Sequence, residues 1–589
     1  MPAQGAGEGA RRPSVGFTSE TMDFLTPFRT GHGLNAVERW KQERHPLDVL
    51  DAVLSTYAQE GAGAIATVPG EMERLKWVGL YPQLQGGDAF MLRIKVPGGR
   101  LNASQARVIG QITDLHARGG DRNAVWGEGF CDLTTRQDIQ LHWLKIADIP
   151  SIWERLDDVG LTTVQACGDS ARNVLGCPVA GLDPDEAFDA SSVVEGISAF
   201  FTGNRAYANL PRKFKISVTG CLDDCAQAEI NDVGLTPARS IDGRLGFNVA
   251  VGGGLSDGPR LASDIDLFVS LDQAVETTRG IAQVFGELGN RENRGQSRMR
   301  YLVQELGPER FRHELVMRLS FPGDPGGEAL TRRYRGDHVG VHPQRQRGLN
   351  YVGLSVTVGR ISGLDLIELA RLAEVYGDGG IRLSTDQNLV LAGVADERVA
   401  ALSGEPLLAR HSPWPGPFER GVVACTGNEF CRFAIIETKV RALEWARHMD
   451  RYLSTADSAS QPRHQGPDDI IRMHVSGCSA SCAQPQIADI GFRGETAKVA
   501  GVITEAVDVG LGGSLGTDVA FIDWVEGAKP VGEVPAALER LVDHYLAERR
   551  TGERFHQWAR RRPNRTLREL VTPPSVMAGI ARDERDEEG

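Results

Sequence analysis

The chain carries a long internal duplication, and that constrains its fold more than any single motif, because two copies of one pattern must be built as two similar units. Gly79-Leu80-Tyr81-Pro82-Gln83-Leu84-Gln85 in the first half recurs as Gly340-Val341-His342-Pro343-Gln344-Arg345-Gln346 in the second. Thr135-Arg136-Gln137-Asp138-Ile139 recurs as Thr385-Asp386-Gln387-Asn388-Leu389, and Ala166-Cys167-Gly168 matches Ala424-Cys425-Thr426. Val218-Thr219-Gly220-Cys221 with Cys225-Ala226-Gln227 matches Val475-Ser476-Gly477-Cys478 with Cys482-Ala483-Gln484, and Gly252-Gly253 pairs with Gly512-Gly513. Markers repeated in one order predict two lobes about a pseudo-two-fold axis, with a large ligand pocket at their seam.

Within each repeat the apolar pattern alternates between sheet and helix. MLRIKV (91–96) and LSVTV (354–358) read as strands, and 104–118 and 364–377 carry the i, i+3, i+4 spacing of helices packed on a sheet. The expected class is α+β. The segments 323–327 and 454–468 are rich in turn residues and read as linkers. A net charge of -13 argues against broad nucleic-acid binding, and no apolar run approaches the ~18 residues of a membrane span. The opening residues lack an apolar leader, so the expectation is a cytoplasmic chain with a disordered extension over 1–20. In a reducing compartment the nine cysteines are expected to be thiols or metal ligands rather than disulfides.

Cys425 and Cys431 are spaced C-x5-C, and Cys478 and Cys482 are spaced C-x3-C, so four thiolates arrive in two pairs from distant segments. Such a set can hold an iron-sulfur cluster; a zinc site and four packed thiols are the alternatives that spacing leaves open. The small polar residues Gly477, Ser479, Ala480 and Ser481 favour a loop built around a ligand.

The stretches Ala424-Cys425-Thr426-Gly427-Asn428-Glu429-Phe430-Cys431 and Gly477-Cys478-Ser479-Ala480-Ser481-Cys482-Ala483-Gln484 resemble the signature of the sirohaem-dependent nitrite and sulfite reductases. The resemblance spans about residues 20 to 560. It implies the duplicated nitrite/sulfite reductase fold, one sirohaem and one 4Fe-4S cluster held by the four cysteines, with Cys482 also axial to the sirohaem iron. It further divides the chain into an extension (1–20), a first ferredoxin-like half-domain with an N-terminal arm (21–150), a first sirohaem and substrate lobe (151–325), a second ferredoxin-like half-domain (326–415), a 4Fe-4S and sirohaem lobe (416–570) and a tail (571–589).

By the same resemblance Arg93, Arg172, Lys213 and Lys215 form the substrate-facing quartet. Fixed cations suit a small oxyanion whose oxygens must be protonated and released. Lys213 and Lys215 alternate about Phe214, which predicts both ammonium groups on one face of a strand. Lysine rather than asparagine at 215 makes sulfite the first expected substrate and nitrite the alternative, on the argument that a dianion-like substrate gains from a further charge. Sirohaem carries many carboxylates, so Arg136, Gln137, Arg212, Gln344, Gln346 and Arg382, together with the two glycine pairs, are expected around it. Tyr81 and Cys167 match positions where some family members carry a tyrosine-cysteine thioether. A second cluster on Cys167, Cys177, Cys221 and Cys225 competes with packed thiols, since Asn173 stands where a partner of Cys431 is sought.

No flavin or nicotinamide module is visible, so reduced ferredoxin is the implied donor to a monomeric enzyme. Arg291, Arg294, Arg298 and Arg300, or Arg332, Arg333 and Arg335, are the candidate docking runs. A related tetrapyrrole-pathway monooxygenase and a non-catalytic metal protein are the other classes; the intact quartet counts against the first, and a tetrapyrrole absorption band would exclude the second.

Overall fold

The computed structural model describes residues 33–331, 336–456 and 470–572. Two ferredoxin-like half-domains come together by exchanging an edge strand. In the first, strands Leu80–Pro82, Phe90–Ile94, Ile139–Leu144 and Gly127–Leu133 pair in that order, and the outer edge is closed by Arg360–Ser362 from the second half. The second repeats the order with Gly340–Pro343, Leu349–Leu354, Leu389–Ala395 and Gly380–Leu383, and is closed by Arg100–Asn102 from the first. Exchange leaves neither half-sheet with that edge unpaired, which is one way a fold protects sheet edges.

The helices Ala103–His116 and Gly363–Tyr376 follow the exchanged strands. Asn102 caps the first through a capping box with Gln105, and the Ser362 hydroxyl accepts from the Asp365 N–H to cap the second. They cross where Gly110 and Gly363 meet; a Cβ on Gly110 would stand 2.7 Å from the Gly363 carbonyl oxygen. One hydrophobic core runs under both half-domains, including Leu92, Ile109, Leu141, Leu354, Leu369 and Leu391.

Each larger lobe is a mixed sheet of one plan. Strands Ala171–Leu175, Phe214–Val218 and Val233–Arg239 run parallel, then Leu245–Val251 and Ser263–Val269 turn antiparallel. In the second lobe Val422–Ala424, Met473–Ser476 and Ile490–Val499 run parallel, and Val502–Leu511 and Asp523–Pro530 follow antiparallel. Each lobe has its own core. The duplicated α+β fold is therefore present.

The strand expected at 354–358 is not. The strand ends at Leu354, and Thr357–Gly359 form a short 3-10 turn with Val358 at φ 56. Alternating apolar residues there reflect burial of a turn, as Val356 and Val358 are both buried. Most of the linker expected at 454–468, the extension over 1–20 and all but the start of the tail lie outside the described residues. Among the described residues no helix is long and apolar enough to cross a membrane.

Candidate active site

The strand Phe90–Ile94 buries Phe90, Leu92 and Ile94 and so turns Arg93 to its opposite face. There Arg93 donates to Cys167 Sγ at 2.7 Å, and Arg172 donates to the same sulfur at 3.0 Å and to the Gly168 carbonyl. Tyr81, on the neighbouring strand, lies with its ring centre 5.7 Å from the Arg93 guanidinium. Burial, and next the neighbouring Cys167, push the Tyr81 hydroxyl above its ordinary value. Phe214 enters the first-lobe core, which leaves Lys213 and Lys215 together on the other face of their strand.

These cations reach the second half. Burial opposes the Arg93 charge, yet Cys167, Tyr81, Asp138 and Cys482 together hold it firmly protonated. Lys213 is brought down to about 7 by burial and by Arg298 and Arg172, with Cys482 pulling the other way. Cys482 is thus a neighbour common to Arg93 and Lys213. Two acidic residues that sequence reasoning missed organise the group. Asp138 is buried and raised to about 6 against the pull of Arg93 and Arg136, and Asp232 accepts from the Lys215 N–H at 2.9 Å and from Arg298 at 3.1 Å. Asp138 was within the repeated Thr-Arg-Gln-Asp motif, which was its available signal.

The four second-half cysteines lie on two loops that begin where parallel strands end. Cys425 follows Val422–Ala424; its sulfur accepts the Gly477 N–H at 3.2 Å. The turn to Cys431 needs Gly427, whose φ is +71 and whose added Cβ would stand 2.6 Å from Thr438 Oγ1. Cys478 and Cys482 follow Met473–Ser476, and Thr135 from the first half donates to the Cys482 carbonyl at 3.1 Å. Burial raises Cys425 to about 12 and lifts Cys431 and Cys478, and the nearby Cys482 sulfur adds to each. Cys482 itself is exposed and the other three are partly so. Four thiols open to the seam fit a 4Fe-4S cluster. The buried Nε atoms of Arg93 and Arg136, which the fold leaves without partners, fit an anionic group beside it.

The remaining expected cofactor residues are dispersed. Arg136 donates to Asn231 Oδ1 at 2.9 Å and to the Asn173 carbonyl at 2.5 Å, and Arg212 stands 3.5 Å from Asp169. Gln137 is fully buried and its amide is used by the backbone: it donates to the Gly176 and Leu383 carbonyls and accepts from the Gly176 N–H. Gln344 donates to Gln346, which donates to the Gly181 carbonyl, so both lie at the first-half cysteine loop rather than the second-half one. Arg382 faces Arg100 across paired strands and is brought down to about 10, chiefly by burial. The glycine pairs are packing positions: a Cβ on Gly253 or Gly513 would stand 2.6 Å from a carbonyl oxygen.

One expectation, and one reading that competed with packed thiols, fail on geometry. Arg291, Arg298 and Arg300 are buried, and Arg294 bonds Asp169 at 2.8 Å, so that run is internal structure rather than a docking surface. Arg332, Arg333 and Arg335 lie outside the described residues. Cys167 stands apart from the other first-half thiols, among Arg93, Arg172 and Tyr81, which rules it out of a second cluster with them.

The sequence matches the model of the nitrite and sulphite reductase 4Fe-4S domain over residues 167–322 and 416–575, and that of the nitrite/sulfite reductase ferredoxin-like half domain over 81–159 and 342–409. The chain belongs to the nitrite and sulphite reductase family. Sirohaem and one 4Fe-4S cluster, the cofactors expected from the cysteine signature, are accordingly its cofactors. The assimilatory ferredoxin-dependent nitrite reductase of Haloferax mediterranei is 41% identical over 545 residues, covering 88% of this chain and 90% of that protein. The ferredoxin–nitrite reductase of Synechococcus elongatus is 40% identical over 531 residues, covering 89% and 99%. The solved NirA protein of Mycobacterium tuberculosis superposes with a TM-score of 0.84 at 34% identity, covering 91% of this chain and 98% of that one.

The curated relatives, all named as ferredoxin-dependent nitrite reductases, overturn sulfite as the first substrate. The charge argument from Lys215 also fails physically. Burial, and next the neighbouring Lys213, lower the Lys215 ammonium well below its ordinary value, so the fold disfavours the extra positive charge on which the sulfite argument rested.

Proposed function

We propose that this enzyme is a ferredoxin-dependent nitrite reductase that takes nitrite to ammonium with six electrons and eight protons, releasing two waters. The observation that carries the reading is the similarity to curated ferredoxin–nitrite reductases along nearly nine-tenths of the chain. When bound, the cluster and sirohaem would relay to the substrate the six electrons that reduced ferredoxin donates one at a time.

The protein's own contribution is to bind, orient and protonate. Arg93 and Arg172 are held side by side by the Cys167 sulfur they share, and they present fixed hydrogen-bond donors to the anion. Lys213, with its affinity for protons brought to about 7, is suited to give up a proton to a departing oxygen and regain it near neutral pH. Lys215 is positioned through its own backbone N–H by Asp232, and Arg298 closes that carboxylate from the other side. Cys425, Cys431, Cys478 and Cys482 are assigned to the cluster, with Cys482 also toward the sirohaem iron. Tyr81 and Cys167 are the candidates for a thioether cross-link, and both lie against the Arg93 guanidinium.

The test is anaerobic turnover of the sirohaem-loaded enzyme with reduced ferredoxin. Ammonium should form from nitrite at a higher kcat/KM than sulfide forms from sulfite. Faster sulfite turnover, or nitrite loss without ammonium, overturns the proposal.

A further inference from the structure

The duplication gives the second-half cluster loops a counterpart whose ligand set has changed. Gln387 brackets the Ala424 peptide, accepting its N–H at 3.0 Å and donating to its carbonyl at 3.0 Å. Gln137 brackets Gly176 in the same way, at 3.1 and 3.0 Å. The residues that follow are Cys425 and Cys177, so Cys177, not Cys167, is the true counterpart of Cys425. Counting on without a gap, the Leu84 N–H meets the Phe430 carbonyl and the Arg345 N–H meets the Leu182 carbonyl. The next residues are Cys431 and Asp183. Thr135 donates to the Cys482 carbonyl and Thr385 donates to that of Cys225, at 3.1 and 2.9 Å, which pairs Cys225 with Cys482 and Cys221 with Cys478. Three of the four thiol positions are therefore kept in the first half, and the fourth is an aspartate.

The three kept thiols are fully enclosed, and their sulfurs all lie within 4.8 Å of one another, the one such group among the described residues. Cys221 and Cys225 are 3.4 Å apart. A tetrahedral ion with metal–sulfur bonds of about 2.3 Å sets its sulfurs roughly 3.8 Å from one another, so the spacing suits a single ion. A cubane needs its ligand sulfurs farther apart and a fourth thiolate, which Asp183 does not give. A nitrogen donor stands beside the trio instead: His338 Nε2 is 3.0 Å from Cys225 Sγ, and the imidazole is buried. It sits to the Cys225 side of the trio, more than 4.8 Å from at least one of the other two sulfurs, so the ring must shift toward them to complete the shell. The Thr219 hydroxyl, 3.1 Å from Cys221 Sγ, supplies the outer hydrogen bond such ligands usually carry.

We propose that Cys177, Cys221, Cys225 and His338 bind one structural zinc ion at the junction of the first lobe and the second ferredoxin-like half-domain. Thiolate and imidazole ligands in a closed tetrahedral set are the donors zinc takes in structural sites. The ion joins loops that follow Ala171–Leu175 and Phe214–Val218 to the segment leading into Gly340–Pro343. From His338 the connection continues through Asp337, which accepts from Arg420 at 2.9 Å, to the strand Val422–Ala424 and Cys425. Zinc would thus brace the same seam that holds the cluster, by a role independent of the substrate reduced.

The experiment is elemental analysis of the full-length holoenzyme purified from zinc-supplemented medium, with X-ray absorption at the zinc edge. The expected result is about one zinc beside about five iron atoms per chain, with three sulfurs near 2.3 Å and one nitrogen near 2.0 Å of zinc. Cys177→Ser with Cys225→Ser should lower zinc at least about tenfold and leave iron unchanged, while His338→Cys should keep it. Where the double variant does not fold, the wild-type count and absorption spectrum decide alone. Zinc below about a tenth of an atom per chain, a Cys221–Cys225 disulfide, or iron of a second cluster in place of zinc overturns the proposal.

Discussion

The two cysteine loops of this duplicated chain share a backbone and differ in what they face. In the second half Cys482 is exposed and Cys425, Cys431 and Cys478 are partly so, opening toward Arg93 and Lys213; in the first half Cys177, Cys221 and Cys225 are all buried. The bracketing glutamines, the threonines on the loop carbonyls and the parallel strands are the same in both. The frame therefore fixes where a thiol stands, and one loop position, Cys431 or Asp183, decides whether a cubane has its fourth ligand.

The sharpest way to break this comparison is to remove one thiol from each loop. Cys482→Ser should abolish nitrite turnover, by about a thousandfold or more, with loss of cluster iron, whereas Cys225→Ser should keep the sirohaem band and the cluster iron. Visible spectra and iron counts on the two variants check it; equal loss in both would mean the loops are not chemically distinct.

The cations give the next contrast. Lys215 and Arg472 are counterparts, for each gives its N–H to an aspartate at the same place, Lys215 to Asp232 at 2.9 Å and Arg472 to Asp489 at 2.8 Å. Only Lys215 lies in the quartet. Lys215→Met should lower kcat/KM for nitrite about a hundredfold, and Arg472→Met should change it less than about threefold. Steady-state kinetics with reduced ferredoxin distinguish them, and a similar loss in both would remove Lys215 from the substrate-facing set.

A symmetric effect is expected at the braces. Gln137→Ala and Gln387→Ala each strip several buried backbone groups of a partner, and each should cost about 2–4 kcal/mol. Thermal unfolding of both variants should show falls of several degrees that match within error. A much larger fall at one site would show that the halves are braced unequally.

The duplication, the placing of the four second-half cysteines on two loops and the facing of Lys213 and Lys215 were legible because they depend on order and on period two. The pairing of first-half thiols was not. Ala166-Cys167-Gly168 resembles Ala424-Cys425-Thr426 in its first two residues, but strand register makes Cys177 the counterpart, and register is a property of pairing rather than of composition. His338 lies 113 residues from Cys225, beyond any local spacing rule. The basic run from Arg291 to Arg300 looked like surface because charged residues usually are, while in the fold Glu38, Asp169 and Asp232 bury it by pairing.

The smallest effect concerns how the first-half loop is closed without a cluster. On the same count that pairs Cys177 with Cys425, Glu186 stands opposite Ala434, and its two oxygens each accept the Gly181 N–H at 3.0 Å while Arg345 donates at 2.8 Å. Burial nonetheless raises the Glu186 carboxyl to about 7, above its value near 4.5 in the unfolded chain. The folded protein then keeps a proton that the unfolded chain has released between those values. The stability this group contributes is full below about pH 4.5 and is lost as pH rises through about 7. Glu186→Gln cannot titrate, so it should flatten the fall in thermal stability between pH 5 and pH 8 and gain about 1 kcal/mol over the parent at the upper end. An unchanged slope in the variant would show that another group sets it. In that case the carboxylate closure of the first loop would be ionised throughout, held by Arg345 as a plain ion pair.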